Sequence, residues 1–169
     1  MRIDVKLSPE LQAVIFAMRS LDRTLAKIVR REVKKVAQPE WMKALERRAK
    51  TSLQKRVLVN TATIAVSNQN VRASSAMKGR PLSGGFDPRT DWHAAEFGAD
   101  PARILDYPRR SPKGIRHRVK RRIGRGLPAR DGAGHVFYPA AREMVPRLGR
   151  LLFQTVYRTI ATATEGKQE

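Results

Sequence analysis

Between Pro108 and Arg130 the chain carries ten basic residues and no acid. Such a stretch has no core pattern, because a buried cation is costly unless a carboxylate pairs with it. The apolar residues on either side must therefore supply the core. Within the stretch, His117-Arg118-Val119-Lys120-Arg121-Arg122-Ile123 shows some two-residue alternation, which a hairpin would produce. Arginine makes forked hydrogen bonds to phosphate. Arg109, Arg110, Lys113, Arg116, Arg118, Lys120, Arg121, Arg122 and Arg125 are accordingly the candidate contacts to DNA or to an acidic partner protein. No aromatic lies between Tyr107 and Phe137, so stacking on unpaired bases is not supported. Sequence-neutral contact with phosphates and docking on an acidic protein surface both remain open here.

The rest of the composition fits one domain over residues 1–169. Apolar residues make up 41% of the chain and aromatics 6%, so aliphatic side chains must fill most of the core. The formal charge of +20 attracts polyanions: nucleic acid, a membrane surface or an acidic protein. There is no cysteine, which excludes disulfides, thiolate metal sites and cysteine nucleophiles. No apolar run approaches the ~20 residues that span a bilayer, and residues 1–6 lack a secretory pattern. The expectation is a soluble protein made in a cytoplasm, with no membrane partner.

Periodicity suggests an α+β fold: a small antiparallel sheet packed with a long N-terminal helix and a C-terminal helix, with long basic loops. Residues 2–7 alternate as a strand. Ser8-Pro9-Glu10 can start a helix whose apolar stripe runs from Leu11 through Met18, Leu21, Leu25 and Val29 to Val36. Arg19, Arg23, Lys27, Arg30 and Lys34 form its other face. Asp22 and Glu32 fall in the apolar arc and Phe16 on the basic side. Phe16, Arg19, Asp22, Arg23, Lys27 and Arg30 are therefore candidates for a subunit interface, against the simpler reading of a solvated face.

Pro39 is expected to break this helix and open a second, from Glu40 to about Arg56. Val57–Met77 reads as strand, Asn68-Gln69-Asn70 turn and strand. Residues 78–91 read as loop, and Trp92–Phe97 as a short strand or helical turn. Residues 98–135 read as an irregular basic insert. A last helix carries Leu148, Leu151, Leu152, Val156 and Ile160, with Pro146 in its first turn and residues 164–169 frayed.

Catalysis finds little support. His93, His117 and His135 lack metal-ligand spacing, and the glycines around 124–134 form no phosphate-binding loop. Asp87, Asp91, Glu96, Asp100 and Asp106 are dense enough to raise a metal-dependent nuclease as a rival reading. Their simpler role is to neutralise nearby arginines. No cofactor, no metal and no enzymatic activity are expected.

Two further landmarks flank the basic segment: Ala94-Ala95-Glu96-Phe97-Gly98-Ala99-Asp100 and Tyr138-Pro139-Ala140-Ala141. With Leu82-Ser83-Gly84-Gly85 before them and Gln154-Thr155-Val156-Tyr157-Arg158-Thr159 after, their order resembles the head-to-tail connector or tail-completion proteins of long-tailed bacteriophages. That resemblance implies a non-catalytic virion protein of the neck. It implies a ring, commonly a hexamer, around the DNA channel, touching other neck proteins and the tail tube or tail terminator. It marks Glu96, Phe97, Gly98, Tyr138 and Pro139 as structural. Phe97 is expected in the core, Gly98 at a position where a side chain would hinder, and Glu96 paired with an arginine. The basic segment is longer than the family's usual linker, so its role does not carry over. A tail-terminator ring and a stand-alone, sequence-neutral nucleic-acid-binding protein are the alternatives.

Overall fold

The computed structural model describes residues 1–4, 9–67, 70–100, 102–122, 124 and 126–165, with the backbone alone at Asp4, Pro9–Leu11, Val14 and Ile15. The expected cap at Ser8, most of the Asn68-Gln69-Asn70 turn, Arg125 and residues 166–169 of the expected frayed tail lie outside the described residues. The fold is α+β. Strand β1 (Arg2–Asp4) is followed by helices α1 (Pro9–Ser20) and α2 (Arg23–Glu46). A short turn of helix, α3 (Ser52–Gln54), runs into a π-helical turn at Lys55–Val59 and strands β2 (Thr63–Val66) and β3 (Val71–Ser74). Helix α4 (Pro88–Phe97), the hairpin strands β4 (Ile104–Arg110) and β5 (Arg116–Arg122), and the long α5 (Phe137–Glu165) complete the chain.

The three-stranded antiparallel sheet has the order β1-β3-β2, with Ile3 and Ile64 both opposite Ala73. Helix α2 packs on β2 and on α5, so the core is a sheet-helix-helix stack. Trp41 is wholly buried at its centre, edge-on to Phe137 with ring centroids 5.4 Å apart. Its indole N–H donates to the Ser74 carbonyl at 3.2 Å, satisfying the one polar atom that burial would strand. Gln38 ties the same helix to the sheet: its Nε2 donates to the Ala62 carbonyl and its Oε1 accepts the Ile64 N–H. No helix among the described residues is long and apolar enough to cross a membrane.

Three expectations about the helices need correction. The first helix is two helices, because Asp22 leaves the helical conformation and accepts the Thr24 N–H at 2.9 Å as the N-cap of α2. Asp22 is therefore no misplaced core carboxylate; this cap and the exposure of the residue remove the puzzle. Glu32 meets Arg31 at 3.3 Å on the surface. Second, Pro39 does not break the chain: α2 runs through it to Glu46. A proline inside a helix costs about 3 kcal/mol. Ala37, Trp41, Ala44 and Leu45, all buried within the same helix, outweigh that, since a single buried leucine contributes about 1.5–3 kcal/mol. Third, α5 starts at Phe137 rather than near Pro146, which sits inside it.

Glu143 of α5 clamps the C-terminal end of α2. It meets Arg47 at 3.1 Å, Arg48 at 3.3 Å and Arg147 of its own helix at 3.0 Å. Partial desolvation raises its carboxyl, but the Arg48 hydrogen bond and the charges of Arg47 and Arg147 outweigh this and hold it below the ordinary glutamate range. A carboxyl depressed in the folded state adds stability above its unfolded pKa, and that stability is lost as pH falls through the folded value. Glu143→Gln should therefore lower the melting temperature slightly at neutral pH, since screened pairs are weak. The difference from wild type should close as the solution is acidified below the carboxylate range, read from melting curves at a series of pH values.

Candidate functional site

Helix α5 opens without a cap of its own. Gly134-His135-Val136 precede Phe137, and none of the usual capping side chains stands there. The first turn of a helix leaves backbone N–H groups without partners, and burying them unpaired is costly. Here the acceptor comes from some forty residues upstream. Glu96, at the end of α4, is fully buried, and its carboxylate accepts the N–H groups of Val136 (3.2 and 3.3 Å), Phe137 (2.8 Å) and Tyr138 (3.1 Å). The next residue, Pro139, has no N–H, and the Ala140 N–H already reaches the Val136 carbonyl at 3.1 Å. Every donor of the first turn is thus accounted for. The negative charge also sits at the positive end of the helix dipole.

The main chain repeats the connection. The Glu96 carbonyl accepts the His135 N–H at 2.9 Å, and the Phe97 carbonyl accepts the Asp131 N–H at 2.8 Å. Gly98 ends α4 with φ 75°, where a side chain would collide with the carbonyl oxygens of Pro128 and Ala129. Gly134, at φ 81°, lies so close under the Glu96 carboxylate that a Cβ would meet it. Behind them Gln54, also buried, donates from Nε2 to the Ala95 carbonyl at 3.1 Å and accepts the Lys50 and Thr51 N–H groups.

Two expectations about this motif are overturned. Glu96 pairs with no arginine among the described residues; backbone donors occupy it instead. Phe97 is half-buried rather than in the core. It packs at the edge, 5.6 Å from the Tyr138 ring and 6.3 Å from Trp92. Tyr138 in turn meets Phe137, so an aromatic line runs from Trp41 in the core to Phe97 at this joint.

What the joint closes is the base of the basic segment. The stretch 98–135, expected to be irregular, contains an antiparallel hairpin that pairs without interruption from Ile104↔Arg122 to Arg110↔Arg116. Its tip is Pro112-Lys113-Gly114, with Gly114 at φ 80° and Ser111 and Ile115 closing the turn through the Ser111 N–H and the Ile115 carbonyl at 2.9 Å. Proline followed two residues later by a left-handed glycine suits a three-residue hairpin loop. The strands pack on each other and on no other element to any extent, and nearly every residue of them is exposed. The hairpin is an arm.

The register sorts the candidate cations. Side chains alternate along a strand and directly opposed residues share a face. Arg110, Arg116, Arg118, Lys120 and Arg122 therefore lie on one face, with Asp106 as its single carboxylate, 3.0 Å from the Arg118 Nε. Arg109 and Arg121 lie on the other face beside Leu105, Tyr107, Val119 and His117. Lys113 is at the tip.

The five acids do not converge. Asp87 caps α4 and binds Arg89 at 2.7 Å, and these hydrogen bonds hold its carboxyl below the ordinary aspartate range. Asp91 accepts the Asp87 N–H at 2.8 Å, Asp100 the Ala102 N–H at 2.9 Å, and Asp106 stands on the arm. Among the described residues no three His, Asp or Glu side chains are grouped to hold a metal ion. Of the suggested interface residues, Phe16 is 73% exposed on α1 while Arg19, Asp22, Arg23 and Lys27 are exposed across two helices. Arg30 is half-buried and donates to the Ala26 carbonyl. Compared with known proteins, the chain matches no family model, no curated sequence and no solved structure.

Replacing Glu96 with Gln should leave one acceptor oxygen and turn an N–H₂ toward backbone donors. The expected loss is about 2–3 kcal/mol, since each stranded buried donor costs about 1–3 kcal/mol, or roughly 4–12 °C in Tm for a domain of this size. Glycine substitutions provide an internal control. Gly98→Ala should destabilise severely, whereas Gly114→Ala, with the same sign of φ but open space around it, should cost only about 1 kcal/mol. Equal melting temperatures for these two variants would contradict the close approach at Gly98.

Proposed function

We propose that the chain is a structural subunit of the neck of a long-tailed bacteriophage, one copy of a ring that joins the DNA-filled head to the tail around the DNA channel. The observation that carries this reading is the joint itself. Two of the four motifs on which the family resemblance rests, around Glu96-Phe97-Gly98 and Tyr138-Pro139, are two halves of one contact. They form a fixed base from which a family-specific insert can be carried outward without disturbing the core. Their occurrence together in that order then has a physical reason.

Exposed apolar side chains support the ring. Phe153, Tyr157 and Ile160, spaced four and three apart on α5, are 58%, 70% and 38% exposed beside the buried stripe of Leu148, Leu152 and Val156. Helix α1, which packs on α5, leaves Phe16 outward as well. Such residues on a small body are accounted for by contact with neighbouring copies. The role proposed is scaffolding: of the five acids weighed for chemistry, Asp87 caps α4, Glu96 caps α5 and Asp106 meets Arg118.

Imaging of virions that contain this protein should place several symmetry-related copies at the head-tail junction. A location in the capsid interior, or a single isolated copy, would refute the reading. The double variant Phe153→Asp with Tyr157→Asp should keep the melting temperature, because surface changes usually stay within about 0.5 kcal/mol. It should nevertheless fail to join the ring, measured as incorporation into particles or as particle size of the assembled protein.

A further inference from the structure

We infer that one face of the arm, formed by Arg110, Arg116, Arg118, Lys120 and Arg122, lies along the backbone of duplex nucleic acid and grips it without regard to sequence. This uses only the register of the hairpin and does not require the ring.

The hairpin gathers cations at a cost. Arg110 stands directly opposite Arg116, and like charges so placed weaken strand pairing. Asp106, the one carboxylate of this face, offsets this only in part, standing opposite Lys120 and meeting Arg118 at 3.0 Å. A solvated loop gains nothing from placing five cations on one side of a ribbon; a polyanion lying along that side relieves the repulsion. The dimensions fit. At roughly 3.3 Å per residue, Arg116 to Arg122 spans about 20 Å, over which a duplex presents about 12 phosphates at one per ~1.7 Å. A two-stranded ribbon is also narrow enough for the ~12 Å major groove.

The chemistry points to backbone rather than base contact. Four of the five cations are arginines, whose forks suit phosphate oxygens. The face holds no aromatic ring for stacking on unpaired bases, Tyr107 lying on the opposite side. Leu105, Tyr107 and Val119 make that opposite side apolar at its centre, so the two sides of the ribbon differ in what they can touch.

The test compares equal charge removal from the two sides of the same arm. Arg116→Gln with Lys120→Gln alters the basic face; Arg109→Gln with Arg121→Gln alters the other. Both pairs are exposed and should leave the melting temperature unchanged. Binding to two short duplexes of unrelated sequence is followed against salt. Wild type should show log K falling against log[salt] with a slope near −4 to −5, since each neutralised phosphate contributes about 0.9. The first variant should lose about 2 from that slope and bind both duplexes more weakly by the same factor. The second should keep the wild-type slope. Equal effects of the two variants would overturn the inference, because net charge rather than the face would then govern binding. So would unequal weakening on the two duplexes. A wild type with no salt-dependent duplex binding would also overturn it, and would leave an acidic protein surface as the arm's partner.

Discussion

A single buried carboxylate, that of Glu96, decides how the end of α4 meets the start of α5. A fully buried charge is tolerated only where donors surround it, and the first turn of α5 offers unpaired N–H groups that equally need an acceptor. Each solves the other's problem. Because the donors belong to a helix that then runs the length of the core through Met144, Leu148, Leu152 and Val156, fixing its first turn sets the line of the whole helix against α2. Gly98 and Gly134 follow from the same contact: one lets the outgoing chain pass against the backbone of 128–129, the other lets the returning chain pass under the carboxylate.

That contact separates two tasks. Helices α2 and α5, the sheet and the aromatic line from Trp41 to Phe97 form a body whose apolar burial supplies stability. The hairpin beyond Gly98 packs on no other element to any extent, and so can be strongly basic without placing cations in the core. The arm can keep five cations on one face because its pairing is local and its base is held by the joint rather than by its own packing. In the neck reading, such a division lets one body type accept inserts of different length and charge.

Much of the architecture was legible in the sequence. The alternation at Ile64 and the stripe through Leu148, Leu152 and Val156 follow from local rules, whereas Ile160, read into the same stripe, is 38% exposed. What misled was local too. Pro39 signals a break, but the burial of Trp41 and Leu45 around it outweighs the lost hydrogen bond. Asp22 looks like a carboxylate in an apolar arc until the arc is seen to be two helices, with Asp22 as the cap between them. The start of α5 was placed too late because no capping residue precedes Phe137. That missing cap was itself a signal for an acceptor from elsewhere, and Glu96 could have been sought on that ground. Gln54, in Thr51-Ser52-Leu53-Gln54, carried the signature of a capping box, and its second role under Ala95 depends on tertiary contact. The split of the arm's cations between two faces depends on the strand register, which a run of arginines does not specify.

Amide hydrogen exchange at Val136, Phe137 and Tyr138, compared between wild type and Glu96→Gln, tests the central contact most directly. In wild type these three amides should exchange as slowly as those of the buried part of α2, although they lie in the first turn of a helix, where protection is usually low. In the variant their protection should drop sharply while the amides of α2 around Trp41, measured under conditions where both proteins are folded, keep theirs. Fast exchange at all three positions in wild type, or protection unchanged by the substitution, would contradict the claim that Glu96 holds the first turn of α5.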